Sequence, residues 1–265
     1  MTKILFLHGG FGNALLEIAH VNKYEDKFFI STFFTGRLVR NLLGLTNHPN
    51  FVKDKVKLKE ARFLGLALVP LVAIDAILAK VFRHSLFTEF DINFVKSKPI
   101  LINLAYFGYF QTDIDLESVI NVREFLVDSK CQKRNYDKVV IHIRGGDFVD
   151  TSQALGQEYY YKALKYVRDK NILSNGELVL VTNDLDYSHQ ILKESGLSRE
   201  MYNVSSGGES EDFDILNNCK CLISSNSTFA LTAAITNPNY KTIVLPRGMG
   251  SFVNIFGFSF VYIDF

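Results

Sequence analysis

A motif in the second half of the chain places a permanent cation at the end of an apolar run. His142, Arg144 and Asp147 follow the run at residues 139–141, and His142 and Arg144 would share one face of a strand. A guanidinium presents a planar fork of donors that suits phosphate oxygens, and His142 could donate to the same phosphate. Asp147 could orient Arg144 or cap the following segment. The structural alternative is an ordinary Arg–Asp pair beside a core histidine.

A second polar motif, made of Asn226, Ser227 and Thr228, stands between an apolar run and a predicted helix at residues 228–235. The N–H groups at a helix N-terminus, together with two hydroxyls, favour an anion. The alternative is plain helix capping, for which Ser, Thr and Asn are all suited. The two motifs together predict a clamp for a phosphate-bearing donor.

An acidic segment lies upstream of the second motif. The carboxylate of Asp212 could accept two hydrogen bonds from a guanine edge, or it could simply favour a helix N-terminus. The neighbouring Glu209, Glu211 and Asp214 also fit a solvated helix face. The sequence predicts that this helix begins at Asp212.

A glycine-rich segment near the N-terminus contains Gly10, Gly12 and Asn13. It follows an apolar run at residues 3–8 and precedes a predicted helix at residues 14–24. Glycines in such a position let the backbone approach a ligand. The segment lacks the last glycine of the dinucleotide fingerprint, so a tight strand-to-helix turn is the alternative.

Strand and helix patterns alternate along the chain, which predicts an α/β fold. The polar stretch at residues 129–138 is the linker candidate, and it divides the chain into lobes at residues 1–130 and 131–265. In the second lobe, five strands with intervening helices predict a Rossmann-like sheet. Ligands of open α/β sheets bind at the carboxyl ends of the strands, where both polar motifs are expected.

The composition of the 265 residues is that of a globular protein, with 48% hydrophobic and 22% charged residues. A net charge of +1 gives no support to a nucleic-acid binder driven by bulk electrostatics. Cys131, Cys219 and Cys221 are too few for a disulfide framework and are predicted to be buried thiols in a cytosolic protein. The spacing of Cys219 and Cys221 does not fit a zinc site.

Targeting signals are weak. The first apolar run is too short for a signal peptide, and no segment reaches the ~18 uncharged apolar residues that a spanning helix needs. Within residues 53–74, however, basic residues precede an apolar stretch. That arrangement suits peripheral contact with an anionic membrane surface, and a buried helix with a basic edge is the alternative.

On these motifs the chain resembles the bacterial α-1,2-fucosyltransferases, which form glycosyltransferase family 11. The patches that carry the resemblance are residues 9–13, 108–111, 142–147 and 211–229. The resemblance implies a GT-B-like fold of two Rossmann-type lobes with a cleft between them, the first facing the acceptor and the second holding the donor. It implies inverting transfer of L-fucose from GDP-fucose to a galactoside hydroxyl, with no cofactor and no metal ion.

The resemblance also implies roles for individual residues. Arg144 would hold the donor diphosphate and stabilise the charge that grows on it in the reaction. Asp147 is a candidate for the catalytic base, and the alternatives are the leaving phosphate and a carboxylate of the first lobe. Tyr109 and Gln111 would contact the acceptor. The further donor-binding residues that it implies are Gly10, Gly12, Asn13, His142, Asp212, Asn226, Ser227 and Thr228.

One departure keeps two alternatives open. The family usually has a second arginine after the first, and here that position is Gly145. The loss removes a charged hydrogen-bonding group worth about 1.5–3 kcal/mol. The alternatives are a related transferase with another nucleotide sugar and a catalytically silent protein that binds a sugar nucleotide or glycan.

The resemblance implies a place in surface-glycan or O-antigen synthesis. The partners would then be a nucleotide-sugar donor and a glycan acceptor, either free or lipid-linked, and no nucleic acid. The expected location is the cytoplasm, with the inner face of the bacterial membrane as the site of peripheral contact.

Overall fold

The structure is a computed structural model of the chain. It describes residues 3–7, 10–24, 28–31, 70, 74, 84–85, 88–92, 95–99, 105–108, 121–122, 137–173, 176–237, 241–249 and 258–265. The chain divides into two compact units, Met1–Ser129 and Lys130–Phe265, and this division lies one residue before the predicted one.

The described residues of the first unit include a sheet and a helix whose bounds are defined. That helix, α1, is Phe11–Tyr24. The strands are β1 (Lys3–Phe6), β2 (Phe28–Ser31), β3 (His84–Ser85), β4 (Thr88–Ile92), β5 (Val95–Pro99) and β6 (Ala105–Gly108). They are arranged in the order β2-β1-β6-β4-β5-β3, and every neighbouring pair is parallel except β4 and β5. The three strands β3 to β5 were not predicted.

Helix α1 begins earlier than the glycine pattern predicts. Gly12 and Asn13 belong to its first turn rather than to a loop, and the Ala14 N–H donates to the Gly10 carbonyl at 3.1 Å. A helical glycine costs about 1 kcal/mol relative to alanine. Burying the Phe11 side chain, which is 2% exposed, contributes about 1.5–3 kcal/mol and outweighs that cost. The predicted helix start at residue 14 is therefore wrong by three residues.

The second unit carries six parallel strands, one more than predicted. The strands are β7 (Val139–Ile143), β8 (Leu178–Thr182), β9 (Asn203–Val204), β10 (Cys221–Ile223), β11 (Lys241–Pro246) and β12 (Phe258–Ile263). The helices are α2 (Asp147–Asp150), α3 (Gln157–Asp169), α4 (Leu185–Glu194), α5 (Glu209–Asn217) and α6 (Thr228–Ile235), with a 3-10 turn at Arg199–Met201.

The core of the second unit lies on both faces of its sheet. All five residues of β7 are buried, as expected for a central parallel strand with helices on both sides. The spacing of apolar residues predicts a helix at residues 158–169 with Tyr159, Ala163, Leu164 and Val167 facing inward, and these four side chains of α3 are buried. Cys219 and Cys221 are buried free thiols, also as predicted, and Cys131 lies outside the described residues.

The strand order of the second unit is β12-β11-β10-β7-β8-β9, and all five neighbouring pairs are parallel. Numbered from one to six along the chain, these strands stand in the Rossmann order 3-2-1-4-5-6, which reverses direction between β7 and β10. Each unit thus has the largely parallel α/β sheet that a GT-B-like fold requires, and the predicted fold class is confirmed.

Several predicted features fall on residues outside the described part of the chain. Of the segment at residues 53–74, only Pro70 and Ile74 are described. Tyr109 and Gln111 are not described either. Among the helices that are described, none has the length and apolar character needed to cross a bilayer.

Candidate active site

The carboxyl ends of β7 and β10 form the reversal point of the Rossmann sheet. These strands are neighbours, with Val140 opposite Leu222 and Ile141 opposite Ile223. The chain continues from β7 to its neighbour β8 in one direction along the sheet, and from β10 to its neighbour β11 in the opposite direction. Loops that leave in opposite directions open a crevice, which is where α/β sheets bind ligands. Both sequence motifs end in this crevice.

His142 joins the two motifs. Its Nδ1 lies 2.8 Å from the Ser225 hydroxyl, and its carbonyl accepts from the Ser225 N–H at 3.1 Å. The ring also lies 6.4 Å from that of Phe229. Burial, and then the charge of Arg144, lower the pKa of His142 to about 3. The imidazole is therefore neutral near pH 7, and it fastens the β10 loop to β7 without adding positive charge.

Arg144 supplies the cation of the site. It directly follows β7 and is partly exposed, and its Nη2 lies 3.0 and 3.2 Å from the two carboxylate oxygens of Asp147. The guanidinium also stands over the Phe148 ring, 5.4 Å from its centroid. The predicted Arg–Asp pair is thus confirmed. It holds Arg144 at the mouth of the crevice, where the guanidinium keeps further donors for an anion.

Helix α5 carries two half-buried carboxylates, one of which feels the charge of Arg144. Glu209 and Asp212 both lie in its first turn and are half-buried. Burial raises the pKa of Glu209 to about 7, against the charge of Arg144, which lowers it, while Asp212 raises it further. Burial also raises the pKa of Asp212, whose Oδ1 accepts from the Ser205 hydroxyl at 2.5 Å. The alternative of a solvated helix face does not hold for Glu209, which is half-buried, and α5 begins three residues before Asp212.

Helix α6 starts at Thr228, as predicted, with Ser227 as its N-cap residue. Within the described part of the chain, the Ser227 hydroxyl makes no capping hydrogen bond with the helix, although Ser227 is buried. Asn226 donates to the Gln153 carbonyl at 3.0 Å, and its Oδ1 is buried without a partner among the described residues. In this described segment, the N-cap hydroxyl of α6 thus makes no hydrogen bond with the helix, and the helix begins on the loop after β10, next to the loop after β7.

The turn between Arg144 and Asp147 is fixed by two residues that follow β8. The Gly145 N–H donates to Asn183 Oδ1 at 2.9 Å, and the Gly146 N–H donates to Asp184 Oδ2 at 3.0 Å. Gly146 has a φ of 53°, a conformation that glycine adopts without strain. The loops after β7 and β8 are therefore hydrogen-bonded at the edge of the crevice.

Two tyrosines of helix α3 donate hydrogen bonds to the backbone at the ends of the strands that form the crevice. The Tyr159 hydroxyl donates to the carbonyls of Ser224 and Val244, at 2.5 and 3.2 Å, and the Tyr160 hydroxyl donates to the His142 carbonyl at 3.3 Å. Burial raises the pKa of both tyrosines well above the ordinary value, which keeps the hydroxyls protonated as donors. The ends of β7, β10 and β11 are thus linked to one helix.

The remaining predicted site residues are in the first unit. Gly10 directly precedes α1, and Gly12 and Asn13 lie in its first turn. Their role toward a donor stays a prediction, as does that of Tyr109 and Gln111. In the described residues, no group of three or more His, Cys, Asp or Glu side chains is arranged to hold a metal ion.

Four residues of the site were not predicted from the sequence, namely Ser225, Asn183, Asp184 and Glu209. A signal for the first three was present, since each follows an apolar run that forms a parallel strand, as Arg144 does. Glu209 carries no comparable signal, because its burial depends on where α5 packs.

Comparisons with known proteins give one family and several distant structures. No curated protein matches the chain. Among solved structures, it is similar to the E. coli heptosyltransferase WaaC with ADP, at 12% identity, a TM-score of 0.45 and coverage of 100% of this chain and 91% of that one. It is also similar to the fucosyltransferase NodZ from Bradyrhizobium, at 11% identity, a TM-score of 0.44 and coverage of 90% and 93%.

A likeness at these scores carries no further conclusion, and the family match stands apart from it. The sequence model of Glycosyl transferase family 11 matches residues 106–249, which is more than half of the chain. The matched segment runs from β6 to the turn after β11 and includes both motifs of the crevice. The chain therefore belongs to glycosyl transferase family 11.

Proposed function

We propose that this glycosyltransferase moves L-fucose from GDP-fucose to a galactoside hydroxyl, with inversion and an α-1,2 linkage, and without a required metal ion. The observation that carries the proposal is that Arg144 and the N-terminus of α6 follow two neighbouring strands, β7 and β10, at the reversal point of the sheet. A cation and a helix N-terminus on two neighbouring loops suit a diphosphate.

In the proposed reaction, the acceptor oxygen bonds to the anomeric carbon while the bond from that carbon to the diphosphate oxygen breaks. Negative charge grows on the departing GDP, and Arg144 with the α6 N–H groups would stabilise it there. The acceptor hydroxyl gives its proton to a base. The ion pair with Arg144 favours an orienting role for Asp147 over the role of that base.

The donor assignment rests on Asp212 as well as on the family. Its carboxylate is half-buried in the first turn of α5, on the chain segment that leads into β10. A carboxylate that accepts hydrogen bonds from a guanine edge would distinguish GDP from UDP and CDP. Gly10, Gly12 and Asn13 are proposed to approach the diphosphate from the first unit, and Tyr109 and Gln111 to contact the acceptor.

Gly145 favours a second candidate, a transferase with another nucleotide sugar. A Cβ on Gly145 would lie 2.6 Å from the Asp184 Cβ, so the second arginine of the resemblance has no room here. The donor site therefore has one positive charge fewer than a site that carries both arginines.

The test is a thermal-shift panel of GDP-, UDP- and CDP-sugars on wild-type protein and on Arg144→Ala. A ligand at 100 times its Kd stabilises the folded state by about 2.7 kcal/mol. We expect GDP-fucose to raise the Tm of wild type and not of Arg144→Ala, while the exposed control Arg168→Ala responds like wild type. A shift with UDP- or CDP-sugars alone would select the second candidate.

Transfer itself is measured as GDP release in the presence of galactosides. Release that depends on the acceptor and disappears in Arg144→Ala is the expected result. Binding without release would leave a sugar-nucleotide-binding protein, and wild-type release by Arg144→Ala would refute the role of the cation.

A further inference from the structure

The turn that carries Arg144 is shaped by the neighbouring β8 loop. We propose that Asp184, assisted by Asn183, is a positioning residue that fixes the Gly145–Gly146 turn and thereby sets the place of Arg144 in the donor site. The inference deepens the proposed function and rests on it.

Two consecutive backbone N–H groups of the turn are held by side chains of the β8 loop. Gly145 donates to Asn183 Oδ1 at 2.9 Å, and Gly146 donates to Asp184 Oδ2 at 3.0 Å. The Asn183 bond fixes the peptide plane between Arg144 and Gly145, and the Asp184 bond fixes the next plane, between Gly145 and Gly146, so that together they set the direction in which the chain leaves Arg144.

Asp184 is itself held rigidly. Its Oδ1 accepts from the Tyr187 N–H at 3.1 Å and so caps α4. Its backbone N–H donates to the Thr182 hydroxyl at 3.0 Å, and its carbonyl accepts from the Ser188 hydroxyl at 2.7 Å. Each carboxylate oxygen therefore has its own partner, one in α4 and one in the β7 turn.

Asp184 leaves no room for a side chain at Gly145. A Cβ at Gly145 would lie 2.6 Å from the Asp184 Cβ and 2.9 Å from its Oδ2, which is closer than such atoms approach. At Gly146 the φ of 53° disfavours a side chain as well. While Asp184 is present, the turn has no room for a side chain at Gly145, and glycine is the favoured residue at Gly146.

The turn stands between the two members of the ion pair. Arg144 precedes it and Asp147 follows it, and their side chains meet at 3.0 Å. A shift of the turn would therefore move the guanidinium and its partner relative to each other. Misplacement of a binding group by about 1 Å can cost about 100-fold in rate, so small movements here matter.

Asp184→Asn separates the two tasks of the carboxylate. An asparagine keeps one oxygen to cap α4, and asparagine is as good a cap as aspartate. Its NH₂ group would then face the Gly146 N–H, donor against donor, and the turn would lose its anchor. The matched control is Asp186→Asn, an exposed acid in the first turn of the same helix.

The experiment measures GDP and guanosine affinity by calorimetry for wild type, Asp184→Asn and Asp186→Asn. We expect Asp184→Asn to bind GDP about tenfold more weakly with unchanged guanosine affinity, because only the diphosphate meets Arg144. A general structural loss would weaken both ligands. In the double variant with Arg144→Ala, Asp184→Asn should cost nothing further, because Asp184 acts through Arg144.

The Arg144 side-chain NMR signal of the ligand-free protein gives a second readout. We expect it to move in Asp184→Asn and to stay in Asp186→Asn. If wild type binds GDP and Asp184→Asn binds it equally well, the inference is wrong while the proposed function stands. If wild type does not bind GDP, the proposed function is wrong, and an unmoved Arg144 signal would overturn the positioning claim separately.

Discussion

Replacing Glu209 with glutamine tests the electrostatics of the crevice most directly. Glu209 is half-buried in the first turn of α5, where burial raises its pKa from 4.5 to about 7 despite the favourable charge of Arg144. Glutamine has nearly the same shape and does not titrate. The substitution therefore removes the proton equilibrium while leaving the packing in place.

The expected magnitude follows from the raised pKa. Between pH 4.5 and 7 the folded protein holds a proton on Glu209 that the unfolded chain releases, so Glu209 lowers the free energy of unfolding as the pH rises. In a fully buried site, this pKa shift would lower the free energy of unfolding by about 3 kcal/mol between the two pH limits. Because Glu209 is only half-buried, solvent screening reduces it to about 1–2 kcal/mol.

The assay is urea unfolding of wild type and Glu209→Gln at pH 4.5 and pH 8. From pH 4.5 to pH 8, we expect the free energy of unfolding of the variant to rise by about 1–2 kcal/mol relative to that of wild type. Glu211→Gln is the control, since Glu211 is exposed in the same turn and shares the interaction with the helix dipole. A difference between wild type and Glu209→Gln that stays constant with pH would refute the burial argument.

The same carboxylate should oppose the donor. Above pH 7 an ionised Glu209 competes with a diphosphate for Arg144, and a bound nucleotide sugar would push the proton back onto Glu209. We expect GDP-fucose affinity to fall between pH 6 and 8 in wild type and to stay level in Glu209→Gln. Calorimetry in two buffers of different ionisation enthalpy reports the proton uptake.

Two further predictions concern buried groups beneath the crevice. Burial keeps His142 neutral in the folded protein, whereas the same side chain titrates near pH 6.5 in the unfolded chain. From pH 7 to pH 5 the free energy of unfolding of His142→Asn, measured in urea, should therefore rise by about 2 kcal/mol relative to that of wild type. A difference that does not change with pH would contradict the lowered pKa. Tyr159→Phe should lower the free energy of unfolding by about 1–3 kcal/mol, because the Ser224 and Val244 carbonyls lose a donor, whereas the exposed control Tyr161→Phe should be neutral.

Local patterns were sufficient to predict the elements that frame the site. The sequence predicts strands at residues 139–143 and 178–182 and a helix at residues 228–235. The elements β7, β8 and α6 have these bounds, because each is an apolar segment with clear polar ends. The start of α5 was missed because Glu209, Ser210 and Glu211 carry no apolar periodicity. Their helix is favoured instead by acids at its N-terminus and by packing against α6.

The contacts that make the site depend on strand pairing, which local patterns do not encode. The bond between His142 and Ser225 joins residues 83 positions apart, and it exists because β7 and β10 are neighbours in register. The Gly146–Asp184 bond likewise requires β8 on the other side of β7. The residue types of the clamp were therefore predictable from sequence, and the partners that hold them were not.

The tyrosines of α3 have a consequence for how this fold tolerates change. They secure the backbone under the crevice through carbonyl groups, which every residue type possesses. The side chains at the rim can then be exchanged without altering the spacing between the strands beneath them. Donor preference could thus drift by replacement of rim residues alone, and a library randomised at the loops, with Tyr159 and Tyr160 untouched, is the natural starting point for redirecting the enzyme to other sugars.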